Sequence, residues 1–559
     1  MKRGKPIILL LTVLLAALAV VFGRNEIGTR NFPFSVKIVS DETEEEIRCM
    51  KLDGEYYVFL PAYAQTAEAG ICPNPIYDVF IDGQKVARNQ SCADFPVNTK
   101  LELYFRSWGN EGYETVTFVQ SGNVATMYIH VPSGNMENIH EQKGNEEPGW
   151  IRAYTKEGNL DYAGSLETLK GRGNATWMDD KKPYSLELSQ EGNLLGLGAA
   201  SRWILLSNAY DRSHLRNKMA YDMAKELDLA YSPDCTWTDL YLNGEYAGLY
   251  LLSERNEIHP QRVDLDPGSS FLVAVEPDWR LQEQGYPYVQ TENGTAFRIH
   301  HSAMPDNAVE EIWQTAENAI LAEDGRDPVT GKRWDELIDP DSWARKYLIE
   351  EILLNEDAGL ASSYFYYDGA EGLIYAGPVW DMDVTMKETE QPWMSARAIM
   401  AGRPHLTHAG DRNYFYELLQ KPEFRSLVET LYRTEFRPLL CRLLESGLEA
   451  YAGQTAQASA ANQVRWNATD SVRKVQDLVD FLPKRMAYLD ACWLHKQQMF
   501  LVQAVRQDRV GAFVVYPGET LEFLPDPENG VWYRMDTEEV LDRTLPVDCD
   551  MMLAVRELS

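Results

Sequence analysis

The hydrophobic pattern of this chain changes period along its length, and that change dictates how the chain must divide. From about residue 25 to 132, apolar residues alternate or come in short runs, at 34–39, 56–60, 101–105, 115–119 and 125–131. A period of two lines one face of a β-strand, and short strands at near-regular spacing lead to a small β-sandwich. Asp82-Gly83, inside the apolar stretch 77–86, marks a tight hairpin, because both central residues of such a turn take positive φ. The polar stretch 133–149 reads as a linker. From about 150 the texture is mixed. Strand signals surround 184–188, whereas Leu215, Met219, Met223 and Leu227 recur at four-residue steps, the stripe of a helix facing a core. Asn243-Gly244 lies between apolar runs and marks a second hairpin. Pro340-Asp341-Ser342 opens a helix that turns Trp343, Tyr347 and Leu354 inward. Residues 412–500 read as mostly helical, and strand character returns at 514–516, at the Pro517-Gly518 turn and at 531–533. The expected fold class is α+β. A small all-β domain occupies 25–132, a mixed domain with a helical C-terminal half occupies 150–505, and a short β tail occupies 510–559.

Charge narrows the function. The 559 residues include 85 Asp plus Glu against 53 Lys plus Arg, a formal net charge of −32. Such a surface repels phosphate backbones and speaks against a general nucleic-acid binder. A triphosphate is still possible, since a few local cations and Mg²⁺ suffice to hold it. At the N-terminus a basic pentapeptide precedes an uncharged apolar run from Pro6 to Phe22, and Arg24 restarts polar sequence. That is the pattern of a signal peptide or signal anchor over 1–24, at the short edge of what spans a bilayer. The body is therefore expected to be extracytoplasmic, secreted or membrane-anchored through that segment alone, since no second apolar run of this length follows. Seven cysteines, at 49, 72, 92, 235, 441, 492 and 549, form no Cys-x-x-Cys pair, so a zinc knuckle or thioredoxin-type site is not expected. His405-Leu-Thr-His408 has metal-capable spacing but no evident third ligand. Gly-x-Ser-x-Gly and His-Glu-x-x-His are absent, which removes the main support for hydrolase and zincin readings.

Four segments combine polar chemistry with structural punctuation. Gly171-Arg172-Gly173-Asn174-Ala175-Thr176-Trp177, followed by Lys181-Lys182-Pro183-Tyr184, sets cations beside a Gly-flanked turn that a ligand can approach closely. The bland alternative is a solvated turn. In 205–218 an apolar strand end runs into a helix with basic first turns. An anion could meet that helix N-terminus, or Asp211 or Ser213 simply caps it. Asn355-Glu356-Asp357 ends the Trp343 helix ahead of Ser362-Ser363 and an aromatic strand. Gly377-Pro378-Val379-Trp380-Asp381-Met382-Asp383 reads as a strand ending in carboxylates, and a continuing strand puts Asp381 and Asp383 on one face, within reach of one metal. Phosphoryl transfer needs one carboxylate to orient or deprotonate the acceptor hydroxyl and another to hold Mg²⁺ against the phosphates.

In combination and order, these segments resemble the spore-coat protein H family of atypical protein kinases, the CotH kinases. The Arg-Gly-Asn-Ala-Thr-Trp plus Lys-Lys-Pro-Tyr block is the most specific element. Asn243 to Tyr250 with Glu254, and the Gly-Pro-Val-Trp-Asp-Met-Asp block, follow. The resemblance covers roughly 150–500 and implies an atypical protein-kinase-like catalytic domain. By that resemblance Asp357 is the catalytic carboxylate, and Asp381 is the metal ligand with Asp383 and Ser362 near it. Lys181 or Lys182 with Arg172 contacts phosphates, Tyr375 stacks on adenine, and Glu254 pairs with the lysine or supports its hairpin. The implied cofactors are ATP and Mg²⁺ or Mn²⁺. The implied partner is a protein with a Ser or Thr acceptor, extracytoplasmic or of a spore coat. The chain departs from the family pattern twice. Ser362 and Ser363 stand where many members place asparagine, and Val-Thr-Met-Lys-Glu-Thr-Glu follows Asp383 in place of a Gly-containing turn. Two other readings keep the fold and change the function: a non-catalytic cell-surface structural or adhesion protein, and a protein AMP-transferase.

Overall fold

Alternation in the first hundred residues does produce strands. In Phe34–Ser40 the side chains of Phe34, Val36 and Ile38 are buried, and Val39 is open to water. The computed structural model describes residues 32–557 apart from 41–42, 66, 108, 409–410, 468–470, 507–508 and 528–529, so the segment read as a signal lies outside the described residues. Two compact units emerge. One holds the described residues up to Met136 with Trp150–Ala163 and Asp239–Gly248; the other holds Glu137–Gly149, Gly164–Thr238 and the chain from Leu249 onward.

In the first unit, a four-stranded antiparallel sheet runs in the order Thr43–Arg48, Phe34–Ser40, Glu68–Pro73, Gln90–Ser91. A six-stranded sheet runs Met50–Leu52, Glu55–Leu60, Asn110–Gln120, Lys100–Ser107, Asp78–Ile81, Gln84–Lys85, with Glu55–Leu60 parallel to Asn110–Gln120. Phe34 of the first sheet and Phe118 of the second meet at 6.2 Å between ring centroids, in a core with Val36, Ile71, Val58 and Val116. Asp82 and Gly83 take φ of 47° and 73°, as the hairpin requires. Ala125–His130 and Glu146–Tyr154 pair antiparallel through Thr126–Tyr154 and His130–Trp150. The stretch read as a linker is therefore structured: Glu137–Glu141 is a short helix, and the next strand begins at Glu146.

The second unit carries two sheets that matter for the site. In one, Leu160–Gly171 pairs with Tyr184–Asn193, which pairs with Ala199–Leu206, which pairs with the end of Glu245–Glu254. The other runs Tyr288–Gln290, Ala296–Ser302, Phe271–Val275, Ser363–Asp368, Leu373–Ala376, all antiparallel. Its inner face buries Phe297 and Phe365 against Trp313 of the Asp306–Leu321 helix and Trp343 of the Pro340–Ile352 helix, with ring centroids 4.0 Å apart for Phe297–Trp313 and 4.8 Å for Trp343–Phe365. Asp339 caps the second helix by accepting from Ser342 N–H, and Pro340 fills the first helical position, where no donor is needed. The Leu215–Leu227 stripe is buried as core, on the Arg216–Glu226 helix. From Tyr414 to Trp493 the chain is helical among its described residues. A last sheet runs Val510–Val515, Phe500–Val505, Met551–Glu557, Gly530–Arg534. The fold is thus mixed, with its helices concentrated in the later part of the second unit. No helix among the described residues is long and apolar enough to cross a membrane.

Candidate functional site

A cavity of about 1020 Å³ lies within the second unit. One wall is the end of the Leu160–Gly171 strand with the loop behind it, from Gly171 to Thr176. The opposite wall is the polar face of the five-stranded sheet. Ala296, Arg298 and His300 alternate along one strand, and Tyr364 stands beside them on the next. Because side chains alternate across a strand, the residues between them, Phe297 and Ile299, point away from this face.

The loop is built around a packed tryptophan. A Cβ on Gly171 would stand 2.0 Å from the Trp177 ring, so only glycine fits there. Gly173 sits at φ 81°, which turns the chain back toward Pro183. Arg172 lines the cavity, with its guanidinium 5.7 Å from the Trp380 ring centroid. The two lysines do not join it. Lys181 is buried, donates to Leu249 O and lies 4.8 Å from the Tyr250 ring centroid. Lys182 turns back onto its own loop and donates to Trp177 O at 3.0 Å and Asp179 O at 3.1 Å. Both lysines hold the loop, and neither lines the cavity.

Other cations do line it. Lys143, Arg255, Arg280 and Arg298 all face the cavity. Burial, then the charges of Arg172, Arg280 and Arg298, push the Lys143 ammonium below its ordinary pKa, a sign of positive charge crowded into one corner. The Arg298 guanidinium lies over Tyr286, 3.5 Å from its ring centroid, and its Nε finds no hydrogen-bond partner among the described residues. Glu276 faces the cavity at the end of the Phe271–Val275 strand and pairs with Arg280 at 2.7 Å. None of these was singled out from sequence. The available signals were a strand whose polar face reads Arg298-x-His300, and an apolar run ending in Glu276-Pro277-Asp278.

Asp357, Ser362, Asp381 and Asp383 reach the same cavity from two loops. Asp357 follows the Pro340–Ile352 helix in a turn closed by Leu360 N–H and Ala361 N–H donating to its carbonyl. Burial raises its carboxyl above the ordinary range. Arg509 pulls it down, and Asp381 and Glu356 push it further up. The strand reading of Asp381 and Asp383 fails. The last strand of that sheet ends at Ala376, and Pro378 has no N–H to continue a ladder. Asp381 then adopts φ 64°, so the two carboxylates sit on an irregular turn, Asp381 exposed and Asp383 buried. Ser362, itself at φ 51°, donates from Oγ to Asp381 Oδ2 at 3.0 Å. Burial and the charges of Asp381 and Asp211 raise the Asp383 carboxyl well above its ordinary value.

The 205–218 segment holds this turn in place. Buried Asp211 accepts from Ser213 N–H and Arg216 N–H, but the N-cap position of the helix is Leu215, so neither Asp211 nor Ser213 is the capping residue. Arg216, ion-paired to Asp211, donates from Nε to Thr385 O at 2.7 Å, and Asn217 Oδ1 accepts from Met382 N–H at 2.7 Å. Tyr375 stacks on Tyr366 at 4.9 Å, bonds Glu371 and does not line the cavity. Of the two roles open to Glu254, its printed contacts are with Arg262 at 2.6 Å and with Asp234 N–H, which donates to it at 2.9 Å. His405 and His408 bond within their own loop, through Asp411 O and Thr407.

Does the donor set suit a divalent cation? Among the described residues, no group of three or more His, Cys, Asp or Glu is preassembled for a metal. Mg²⁺ needs less, since it keeps several waters and takes one or two carboxylates plus substrate phosphates. Burial first, and then repulsion from Asp381 and Asp211, raise Asp383, and a cation held by it and Asp381 would relieve that repulsion. The residues fit.

A search among curated proteins returns no match. The family model described as CotH kinase protein matches residues 169–489, more than half of the 559 residues. The matched span contains the Gly-rich loop, both carboxylate loops and the sheet between them. The chain therefore belongs to the CotH kinase protein family.

Proposed function

We propose that this chain transfers the γ-phosphoryl group of ATP to a Ser or Thr hydroxyl of an extracytoplasmic or coat protein, with Mg²⁺ or Mn²⁺ bound at Asp381 and Asp383. The observation that carries this reading is the meeting of Asp357, Asp381 and Arg172 at one cavity, from three separate stretches of chain. The cation supplies charge neutralisation at the phosphates when bound. Asp357 accepts the proton of the acceptor hydroxyl and orients its oxygen. Ser362 holds one Asp381 oxygen, and Asp381 lines the cavity. Arg172, with Lys143, Arg255 and Arg298, neutralises phosphate oxygens as charge moves toward the leaving group. Catalysis of this kind is mainly positioning and electrostatics, so it suits a site whose cations are brought together by the fold. The N-terminal apolar run, read as a signal, supports a reaction outside the cytoplasm.

The test is transfer from γ-labelled ATP by the full chain to itself and to a generic acceptor, with Mg²⁺ or Mn²⁺ and with chelator. Label in the parent, abolished by chelator and reduced about 10²–10⁴-fold in Asp357→Asn and Asp381→Asn, is the expected result. An adenylate mass shift on the product would replace phosphoryl by nucleotidyl transfer. No label, with no stabilisation by Mg²⁺ and ATP on heating, would favour a non-catalytic surface protein.

A further inference from the structure

The C-terminal sheet lies beyond the family-matched span, yet it reaches Asp357. Phe500–Val505 and Val510–Val515 pair as a hairpin, Val505 opposite Val510, and Arg506 N–H donates to Arg509 O at 3.1 Å. Main-chain bonds fasten this hairpin to the segment ahead of the helical half. Ile399 N–H donates to Ala512 O at 2.9 Å, Val514 N–H to Arg397 O at 3.2 Å, and Val510 N–H to Leu406 O at 2.8 Å. Gly511 packs under Trp393, where an added Cβ would come within 2.7 Å of the side chain. So anchored, the end of the hairpin presents two arginines to the Glu356-Asp357 pair. Arg506 lies 3.3 Å and Arg509 3.2 Å from the same Glu356 oxygen, and Arg509 lies 3.8 Å from Asp357 Oδ1. Arg509 also lines the cavity. Buried Arg403 closes the other side by donating to Glu356 O at 3.1 Å.

We infer that Arg509 is a positioning residue for Asp357, braced through Glu356 by Arg506, so that the C-terminal sheet completes the catalytic loop. This rests on the proposed role of Asp357. Arg509 supplies a counter-charge to a carboxylate that burial and its acidic neighbours otherwise push toward the neutral form, with its Nη1 set 3.2 Å from Glu356 Oε1 and 3.8 Å from Asp357 Oδ1. A neutral replacement leaves Asp357 free to swing and easier to protonate, while the phosphate-facing cations and Asp381 stay untouched.

The experiment compares the full chain with Arg509→Gln and Arg509→Met, checked for folding by circular dichroism, so that either variant serves if the other does not fold. Two readouts are taken. Steady-state transfer from ATP is expected to lose about 10–100-fold in kcat, with KM for ATP within about twofold of the parent. Carbodiimide-driven coupling of an amine to Asp357, followed by peptide mass spectrometry, is expected to quicken several-fold. Parent-like coupling at Asp357 overturns the inference, whatever kcat does. A loss that falls on KM for ATP, with kcat retained, overturns it too. If the parent itself transfers no phosphoryl group, the proposed function falls, and the coupling rate alone still decides whether Arg509 holds Asp357.

Discussion

Replacing Asn217 by alanine tests whether the turn bearing Asp381 and Asp383 is held from the Arg216–Glu226 helix. Asn217 is 2% exposed. Its oxygen accepts from Met382 N–H at 2.7 Å, and its Nδ2 donates to Asn208 Oδ1 at 3.1 Å. Alanine removes both bonds and leaves two buried groups without partners, each costing about 1–3 kcal/mol. Relaxation, or a water entering the vacated space, recovers part of this, so the net loss is about 2–4 kcal/mol. At ~2–4 °C per kcal/mol for a large domain, Tm falls by on the order of 5–10 °C. The functional effect follows from the neighbour. Asp381 holds φ 64°, a conformation that non-glycine residues avoid, and Met382 is the next residue along. Cut loose at Met382, the turn relaxes and the carboxylate leaves its place. Melts with and without Mg²⁺ plus ATP measure both effects, and the ligand-induced rise is expected to shrink in the variant. A variant that melts like the parent and keeps the full ligand-induced rise would refute the reasoning, because the bond at Met382 would then carry no load.

Two further outcomes are expected. Burial, then the charge of Lys181, pushes the buried His214 imidazole down to about 3 from 6.5. The native state thus prefers the neutral ring, and the stabilisation present above pH ~6.5 is lost as pH falls below it, about 2 kcal/mol between pH 7 and 5. Urea midpoints at the two pH values, compared with those of His214→Gln, measure it; an identical difference in both proteins would remove His214 from the account. Gly171→Ala drives a Cβ into the Trp177 ring, and overpacking of this kind costs about 1–3 kcal/mol. With the loop displaced, Arg172 leaves the cavity wall, so a fall in both Tm and the Mg²⁺–ATP stabilisation is expected, and unchanged values of both would show that Trp177 simply moves aside.

Much of the architecture is legible residue by residue. Asp82-Gly83 and Asn243-Gly244 name their turns, since few other pairs take positive φ twice in succession. Pro340 after Asp339 names a helix start, and Arg172, Asp357, Ser362, Asp381 and Asp383, from three short segments, all face one cavity. Lys181, Lys182 and Tyr375 do not line that cavity, for one shared reason. Position beside a motif does not set side-chain direction. Lys181 found a buried carbonyl at Leu249, Lys182 the carbonyls of its own loop, and Tyr375 the ring of Tyr366.

The sequence by itself determined what is local: strand and helix periods, turns, caps, and the blocks that carry family membership. Only tertiary structure decided which cations share the cavity. Lys143 comes from a stretch that reads as a linker, Arg255 follows a hairpin strand, and Arg298 lies on the polar face of a strand. It also decided that Asp381 sits on an irregular turn held by Arg216 and Asn217, and that Arg509, on the far C-terminal side of the helical half, meets Asp357. The reason is physical. Backbone preference and hydrophobic period act over a few residues, whereas the field at a carboxylate comes from whatever charges packing brings within several ångströms of it.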